Sequence, residues 1–392
     1  MAEKNLDFDT VIDRTHTNSL KYDFAVQRGK PKDVLPLWVA DMDFQVSSYI
    51  QEALSGSVAH GIFGYSEAEG SYFEAVAGWM SRHYGWNVEE TWLVKTPGIV
   101  FALAQAVRAF TDPGDAVLLQ QPVYYPFSQV IRDNGRKIVD NTLVQGEDGR
   151  YRIDFTDFEE KIRSAHVKLF FLCNPHNPVG RVWTKEELLR LGDICERYGV
   201  IVVSDEIHAD FVFEGSHQVL AGLKESYRKF VVTCTAPSKT FNLAGLQVSN
   251  IFIPDDALRR KFEQAVGASG YSQLNTMGLV ACEAAYRHGE EWYEAVKAYI
   301  RENLAYAQHF LEEQIPQVKA VEPEGTYLLW VDFRSLGLSR RELEDLIVKK
   351  AGLWLDSGDI FGAAGRGFER INVACPCSVL TEALERLARA VR

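Results

Sequence analysis

Lys239 and Asp205 are the residues in this sequence whose chemistry and placement most suggest a reactive site. Lys239 follows the apolar run 230–234, and Asp205 lies near the end of the run 200–207; such short β-branched runs predict buried strands. A lone lysine is more often a surface residue in a polar turn. A lysine that forms a Schiff base with an aldehyde cofactor needs a carboxylate for the cofactor's ring nitrogen, and Asp205 is a candidate. The pair therefore predicts a catalytic centre.

Polar or aromatic side chains also follow other predicted strands. The run 116–119 precedes Tyr124 and Tyr125, which lie between prolines on a stiff loop and fit either rim packing or a ring presented to a cofactor. The run 167–173 precedes a loop in which two X-Pro units favour extended backbone and hold Asn177 on a rigid frame. Each of these residues is a candidate for the same site.

A possible anion site precedes the helix predicted for residues 99–110. A short strand at 91–94 leads through Gly98 into this helix, and free amides point out of a helix N-terminus. Many helices begin in this way and bind nothing, so the signal is weak when it stands alone.

The alternation of strand, polar loop and helix between residues 91 and 245 indicates a mostly parallel sheet in a three-layer α/β/α domain. In such sheets ligands bind beyond the carboxyl ends of the strands, where the candidate residues lie. The pattern predicts further helices at 48–60, 71–84, 185–198, 290–314 and 339–350, and further strands at 137–143 and 325–333. After about residue 290 strands and helices no longer alternate regularly. This change predicts a large domain at 48–288 and a smaller α+β domain formed by 1–47 with 289–392.

Composition excludes several classes of function. The 392 residues carry a net charge of −12 without a basic cluster, so neither nucleic acid nor an anionic membrane surface is an expected partner. The N-terminus lacks the apolar core of a signal peptide, and no apolar run is long enough to span a bilayer. Six scattered cysteines do not complete a zinc site, and we expect no metal, reduced thiols and a cytoplasmic protein.

Four motifs together resemble a known family. They are Asn-Pro-His-Asn-Pro-Val-Gly at 174–180, Ser-Asp-Glu-Ile-His at 204–208, Ser-Lys-Thr-Phe-Asn-Leu-Ala-Gly at 238–245 and Arg-Ile-Asn-Val-Ala-Cys-Pro at 370–376. In this order they are similar to the fold-type I pyridoxal-phosphate enzymes, which include the class I/II aminotransferases. The resemblance extends over nearly the whole chain.

Three details resemble the carbon–sulfur β-lyase branch, which includes the cystathionine β-lyases and cystalysin-like enzymes. Trp-Val-Ala-Asp-Met-Asp-Phe at 38–44 is similar to the N-terminal signature of that branch. His208 stands where the aminotransferases usually have a tyrosine, and Gln247 where they usually have a phosphate-binding arginine. Both differences put transamination in doubt more than cofactor binding.

The resemblance implies a role for each candidate residue. Lys239 holds pyridoxal 5'-phosphate and moves the substrate's α-proton, Asp205 pairs with the ring nitrogen, and Tyr124 stacks on the ring as a second catalytic residue. The other implied cofactor contacts are Gly98, Ile99, Val100, Asn177, His208, Ser238 and, from the neighbouring subunit of a homodimer, Tyr65. The implied substrate contacts are Arg370, which clamps the α-carboxylate, with Ala40, Asp41, Tyr125 and Asn177.

The activity implied by the resemblance is α,β-elimination on L-cystathionine and related cysteine S-conjugates. The products would be pyruvate, ammonia and a thiol, which is homocysteine when cystathionine is the substrate. An aminotransferase on the same fold and a lyase with an additional regulatory role are the alternatives.

Overall fold

The computed structural model describes residues 3–4 and 6–392. Its helices are α1 (Ser48–His60), α2 (Gly70–Tyr84), α3 (Ile99–Phe110), α4 (Tyr125–Asp133), α5 (Phe155–Ala165), α6 (Lys185–Tyr198), α7 (Leu220–Leu223), α8 (Pro237–Thr240), α9 (Asp256–Ala268), α10 (Thr276–His288), α11 (Glu290–Gln314), α12 (Arg340–Glu344) and α13 (Cys377–Val391). Its strands are β1 (Leu35–Pro36), β2 (Leu93–Thr96), β3 (Ala116–Leu119), β4 (Lys137–Asp140), β5 (Val144–Gln145), β6 (Tyr151–Arg152), β7 (Leu169–Cys173), β8 (Ile201–Asp205), β9 (Val231–Thr235), β10 (Ser249–Phe252), β11 (Lys319–Ala320), β12 (Leu328–Asp332), β13 (Leu353–Trp354), β14 (Asp356–Ser357) and β15 (Phe368–Asn372).

A seven-stranded sheet with the order β2-β10-β9-β8-β7-β3-β4 forms the centre of the molecule. The five strands from β9 to β4 are parallel, and β10 runs antiparallel to both of its neighbours. The mostly parallel sheet predicted from the sequence is therefore confirmed. Because the five parallel strands end at one edge, the loops that follow them meet there.

Helices cover both faces of this sheet. Alternate residues of β3 separate between the two sides: Val117 and Leu119 pack with residues of α3, α4 and α9, whereas Ala116 and Leu118 pack with residues of α5, α6 and α10. All four side chains of β3 are buried, as expected for a strand that is covered on both faces. The large sheet thus forms the middle layer of a three-layer α/β/α arrangement.

A second, antiparallel sheet has the order β11-β12-β15-β14, and the short strand β1 pairs in parallel with β13. The N-terminal segment therefore joins the C-terminal part of the chain, as the predicted division into 48–288 and 1–47 with 289–392 requires. We propose that division on these pairings.

The structure agrees with some predicted elements to the residue and differs at others. The strand 116–119 and the helices 48–60, 99–110 and 290–314 have the predicted bounds. The helix predicted for 339–350 is α-helical only in α12 and continues as a π-helix, Asp345–Lys350. The strand predicted for 137–143 ends at Asp140.

All six cysteines are free thiols. Five of them are buried, and burial raises the pKa of each of these five thiols: Cys173, Cys195, Cys234, Cys282 and Cys375. Cys377 is half-buried. Across residues 3–4 and 6–392, no helix has both the length and the apolarity needed to cross a membrane.

Candidate active site

The loops after the parallel strands surround a cavity of about 370 Å³. Asp205 is the last residue of β8, and Lys239 lies in the short helix α8 directly after β9. The cavity brings together all the predicted site residues except Tyr65 and Asp41, namely Ala40, Gly98, Ile99, Val100, Tyr124, Tyr125, Asn177, Asp205, His208, Ser238, Lys239 and Arg370. Residues from both sheets therefore form one site.

The Lys239 side chain is half-buried at the cavity, and desolvation lowers the pKa of its amine to about 8. Asp41 opposes this shift, whereas the positive charge of Arg370 adds to it. The amine donates a hydrogen bond of 2.5 Å to the carbonyl oxygen of Ala40. A lysine with a pKa near 8 has a substantial neutral fraction at physiological pH, which a nucleophile or base requires.

The Asp205 carboxyl group is also buried, and desolvation raises its pKa to about 7. A hydrogen bond of 3.2 Å from the Ile207 amide and the positive charge of Lys239 oppose the shift. A cationic group in the cavity would favour the ionised form of this carboxylate.

The first turn of α3 forms one wall of the cavity. Gly98 precedes the helix with φ of 133°, a conformation that favours glycine. Its amide donates to the Ser249 hydroxyl at 3.1 Å, so this amide is already occupied. The amides of Ile99 and Val100 lie in the first turn, where helical geometry provides no carbonyl partner. These amides and the Ser238 hydroxyl form a cradle that fits a phosphate group.

Arg370 is buried on β15 and has a carboxylate partner in its own chain. It donates to the buried Asp356 carboxylate, which occupies the paired position on β14. It also donates to Trp38 O at 2.8 Å and to Asn177 Oδ1 at 3.0 Å. Within the part of the chain that the structure describes, its buried Nε has no hydrogen-bond partner.

Sequence reasoning missed Asp356. A signal was present, because Asp356 follows the apolar residues 353–355 in the same way that Asp205 follows its own strand. Burial raises the pKa of Asp356 although the neighbouring Arg370 opposes the shift.

Tyr124 and Asn177 lie side by side, since the Tyr124 amide donates to Asn177 O at 3.0 Å. The predicted stiff loop ends earlier than expected: α4 begins at Tyr125, with Pro126 in its first turn.

Burial lowers the pKa of His208 well below its usual value, so the imidazole is neutral. Its Nδ1 is buried and has no hydrogen-bond partner among the described residues.

Two predicted site residues lie outside the cavity of their own chain. Tyr65 is 97% exposed. It borders a separate surface hollow that also includes Gln247. The Asp41 carboxylate is directed away from the cavity and pairs with Arg14 at 2.7 Å and with Lys21 at 3.6 Å. A direct substrate contact by the Asp41 side chain is therefore not supported, although its charge acts on Lys239.

The pattern of the aminotransferase class I and II family matches residues 32–387 of the chain. The chain belongs to this family. It is 44% identical to cystathionine β-lyase PatB of Bacillus subtilis (strain 168), over 98% of this chain and 100% of that protein. The family resemblance inferred from the motifs is thus confirmed.

Solved structures of family members share the fold closely. Cystalysin of Treponema denticola, which contains pyridoxal 5'-phosphate, superposes with a TM-score of 0.94 at 38% identity, covering 98% of each chain. The pyridoxal-phosphate-bound C–S lyase of Staphylococcus hominis gives a TM-score of 0.92 at 33% identity, again over 98% of each chain. The donor set in the cavity fits such a cofactor: a half-buried amine, a buried carboxylate and an amide cradle.

Proposed function

We propose that this protein is a pyridoxal-phosphate-dependent carbon–sulfur β-lyase. It acts on L-cystathionine and related cysteine S-conjugates by α,β-elimination. With water, one L-cystathionine gives homocysteine, pyruvate and ammonia. The observation that carries this proposal is the meeting of Lys239, Asp205 and Arg370 in one cavity, since these are the groups needed to attach the cofactor, to charge its ring and to hold an amino acid.

Each residue around the cofactor site would bind a different part of the cofactor. Lys239 would attach it covalently, and Asp205 would hydrogen-bond the ring nitrogen. Asn177 would hydrogen-bond the ring oxygen, Tyr124 would stack on the ring, and His208 would lie beside it as a neutral imidazole. When bound, the protonated ring accepts the electron pair released at the substrate's Cα. The phosphate is held by the amides of Ile99 and Val100 with Ser238, next to Gly98.

The substrate lies between the cofactor site and the smaller sheet. Arg370 presents a planar guanidinium that binds the α-carboxylate. This guanidinium donates a hydrogen bond of 3.0 Å to Asn177 Oδ1, and the bond fixes the orientation of the Arg370 side chain. Ala40 and Tyr125 complete the wall at this end of the cavity. The Lys239 amine would remove the substrate's α-proton, which allows the β-thiolate to leave.

The proposal is tested by the absorbance spectrum of the purified protein and by thiol and pyruvate assays on L-cystathionine. We expect a yellow protein that releases one pyruvate per thiol. Aminotransferase activity is the second candidate because the family includes such enzymes. An added 2-oxo acid that became a new amino acid, without pyruvate release, would favour it.

We expect the cofactor-free protein to become less stable as pH rises from about 4 to about 7. The pKa of Asp205 is raised to about 7 in the folded state, against about 3.9 in the unfolded chain, so the folded state binds more protons in this window. This contribution is fully present below pH 4 and is lost above pH 7. Asp205→Asn should remove the decline, which amounts to roughly 4 kcal/mol at most.

The measurement is urea unfolding of the two cofactor-free proteins at pH 4.5 and pH 8. The substitution should also weaken cofactor binding, because the ring nitrogen loses its carboxylate. Equal pH dependence in both proteins would contradict the assignment of Asp205.

We also propose that the active enzyme is a homodimer in which Tyr65 of one subunit reaches the phosphate bound by the other. The exposure of Tyr65 supports this, as do its exposed apolar neighbours Ile62 and Phe63, because a covering surface would bury all three.

The six free thiols fit a reducing compartment, and we propose the cytoplasm.

Tyr65→Phe is expected to weaken cofactor binding about ten- to hundredfold, since a hydrogen bond to a charged group is lost. The dissociation constant is measured from the return of colour to cofactor-free protein. Tyr198→Phe, on an exposed tyrosine bonded to Glu159, is the control. When Tyr65→Phe and Lys239→Ala subunits are mixed in equal amounts and pair at random, about half of the dimers contain one subunit of each kind. One of the two sites in such a dimer has both Tyr65 and Lys239, so about a quarter of all sites should be intact. Absence of this rescue would remove the proposed crossing.

A further inference from the structure

Residues 38–44, here called the crossing segment, pass beside Lys239 without forming a helix or a strand. The segment is mostly buried, so its backbone carbonyls need hydrogen-bond donors other than water. Side chains provide them. Trp38 O accepts from Arg370, Val39 O and Asp41 O accept from Asn372, Ala40 O accepts from Lys239 and Tyr327, and Met42 O and Phe44 O accept from Asn242.

Asn372 and Asn242 both hold the crossing segment through side-chain hydrogen bonds. Asn372 ends β15, and its Nδ2 donates to Val39 O and Asp41 O at 2.6 Å each, so its two bonds flank Ala40. Asn242 follows Lys239 by three residues and makes three bonds to the segment. Its Oδ1 accepts from the Met42 amide at 3.0 Å, and its Nδ2 donates to two further carbonyls at 2.9 and 3.2 Å.

An ionic group fixes the far end of the segment. Arg14 bridges Asp41 and Asp43, at 2.7 and 2.6 Å. The fully buried Lys21 donates to Asp43 at 2.7 Å. The Asp43 amide also donates to Ala374 O at 3.0 Å. The crossing segment is therefore held along its length, and the Ala40 carbonyl has a fixed position.

We propose that Asn372 and Asn242 are positioning residues that hold the Ala40 carbonyl where it orients the free amine of Lys239. This inference rests on the proposed function, in which that amine moves the α-proton. A lysine side chain has four rotatable carbon–carbon bonds and many rotamers. The Ala40 carbonyl accepts one N–H of the amine at 2.5 Å and so limits the directions in which the nitrogen lone pair can point.

The test substitution is Asn372→Asp, which keeps the shape of the side chain and the Oδ1 that accepts from the Ala374 amide. It removes the donor to Val39 O and Asp41 O and places a carboxylate against two carbonyls. We expect kcat to fall roughly ten- to hundredfold, because small displacements of a reacting group have effects of this size. KM should change by less than about threefold, and the isotope effect of α-deuterated L-cystathionine should increase.

Asn303→Asp is the matched control. Asn303 is buried, and its Nδ2 also donates to two carbonyls, Val373 O and Cys375 O, at 2.9 and 2.8 Å. It does not bond the crossing segment. Both substitutions bury a carboxylate against carbonyls, so a purely structural effect should appear in both. We expect Asn303→Asp to lower stability and to leave the isotope effect unchanged.

A second readout does not depend on turnover. Cofactor-free protein is mixed with pyridoxal 5'-phosphate, and the rate of colour return reports how readily Lys239 attacks. We expect this rate to be about tenfold lower in Asn372→Asp than in Asn303→Asp, for the same reason of orientation. If Asn372→Asp does not fold, Asn242→Asp replaces it, because aspartate tolerates the left-handed backbone of Asn242, where φ is 56°.

The outcomes separate the two hypotheses. A wild-type protein that releases no pyruvate from L-cystathionine would overturn the proposed function and this inference with it. A wild-type lyase in which Asn372→Asp matches Asn303→Asp in isotope effect and in rate of cofactor capture would overturn the positioning role alone.

Discussion

Lys239→Ala is expected to abolish pyruvate release from L-cystathionine while the protein remains folded. Lys239 lines the cavity, the pKa of its amine is lowered to about 8 by desolvation, and it is proposed both to attach the cofactor and to move the α-proton. The loss of a proton-transfer group alone lowers turnover by roughly a hundred- to ten-thousandfold. Turnover is measured by pyruvate release, and folding by thermal unfolding of the cofactor-free protein.

The wild-type protein should show the absorbance band of the lysine-bound cofactor, and borohydride should fix the cofactor on Lys239. Lys229→Ala is the control, because Lys229 is the preceding lysine in the chain and is exposed. It should keep both colour and activity. A colourless wild-type protein that still converts its substrate would contradict the assignment.

Arg370→Lys is expected to keep the colour of the cofactor and to lower kcat/KM about ten- to hundredfold, because a charge-assisted hydrogen bond is worth about 1.5–3 kcal/mol. Lysine retains the positive charge beside Asp356 but cannot bind the substrate carboxylate through a planar fork. Kinetics with L-cystathionine and with an analogue that lacks the α-carboxylate measure the effect. The loss should be much smaller for the analogue.

Arg181→Lys is the control for disturbing a buried ion pair. Arg181 is buried and pairs with Glu324 at 2.8 Å and Glu187 at 2.9 Å, but it does not line the cavity. Its replacement should lower stability and leave the ratio between the two substrates unchanged. An equal loss on both substrates in Arg370→Lys would make Arg370 a structural cation.

The sequence predicted the cavity well because its residues follow a simple rule. Asp205 ends a buried parallel strand, whereas Lys239, Asn177 and Tyr124 each come after one, and parallel strands end at one edge of a sheet. Four apolar runs with polar residues after them were therefore enough to bring these side chains together. Arg370 lies on the other sheet, and only the family resemblance placed it in the same site.

Other features could not be predicted for identifiable reasons. The antiparallel strand β10 contains Ser249 and Asn250, which are buried although they are polar. Their side chains hydrogen-bond to Thr96 of β2 and to Tyr72 of α2, so the sequence does not show the apolar pattern of a buried strand. Helix α4 begins at Tyr125 next to Pro126, a combination that resembles a loop in sequence. The pairing of Arg370 with Asp356 depends on the register of β14 against β15, which short strands do not reveal.

The burial of the cysteines has a consequence for an enzyme whose product is a thiol. Disulfides formed from released thiols are attacked by protein thiolates to give mixed disulfides, and the thiolate is the reactive form of a cysteine. Burial raises the pKa of Cys173, which lines the cavity, and of the four other buried cysteines, so these sulfurs stay protonated and react poorly with such disulfides. We therefore expect the proposed lyase to form few mixed disulfides at these positions, and to form them first at the half-buried Cys377.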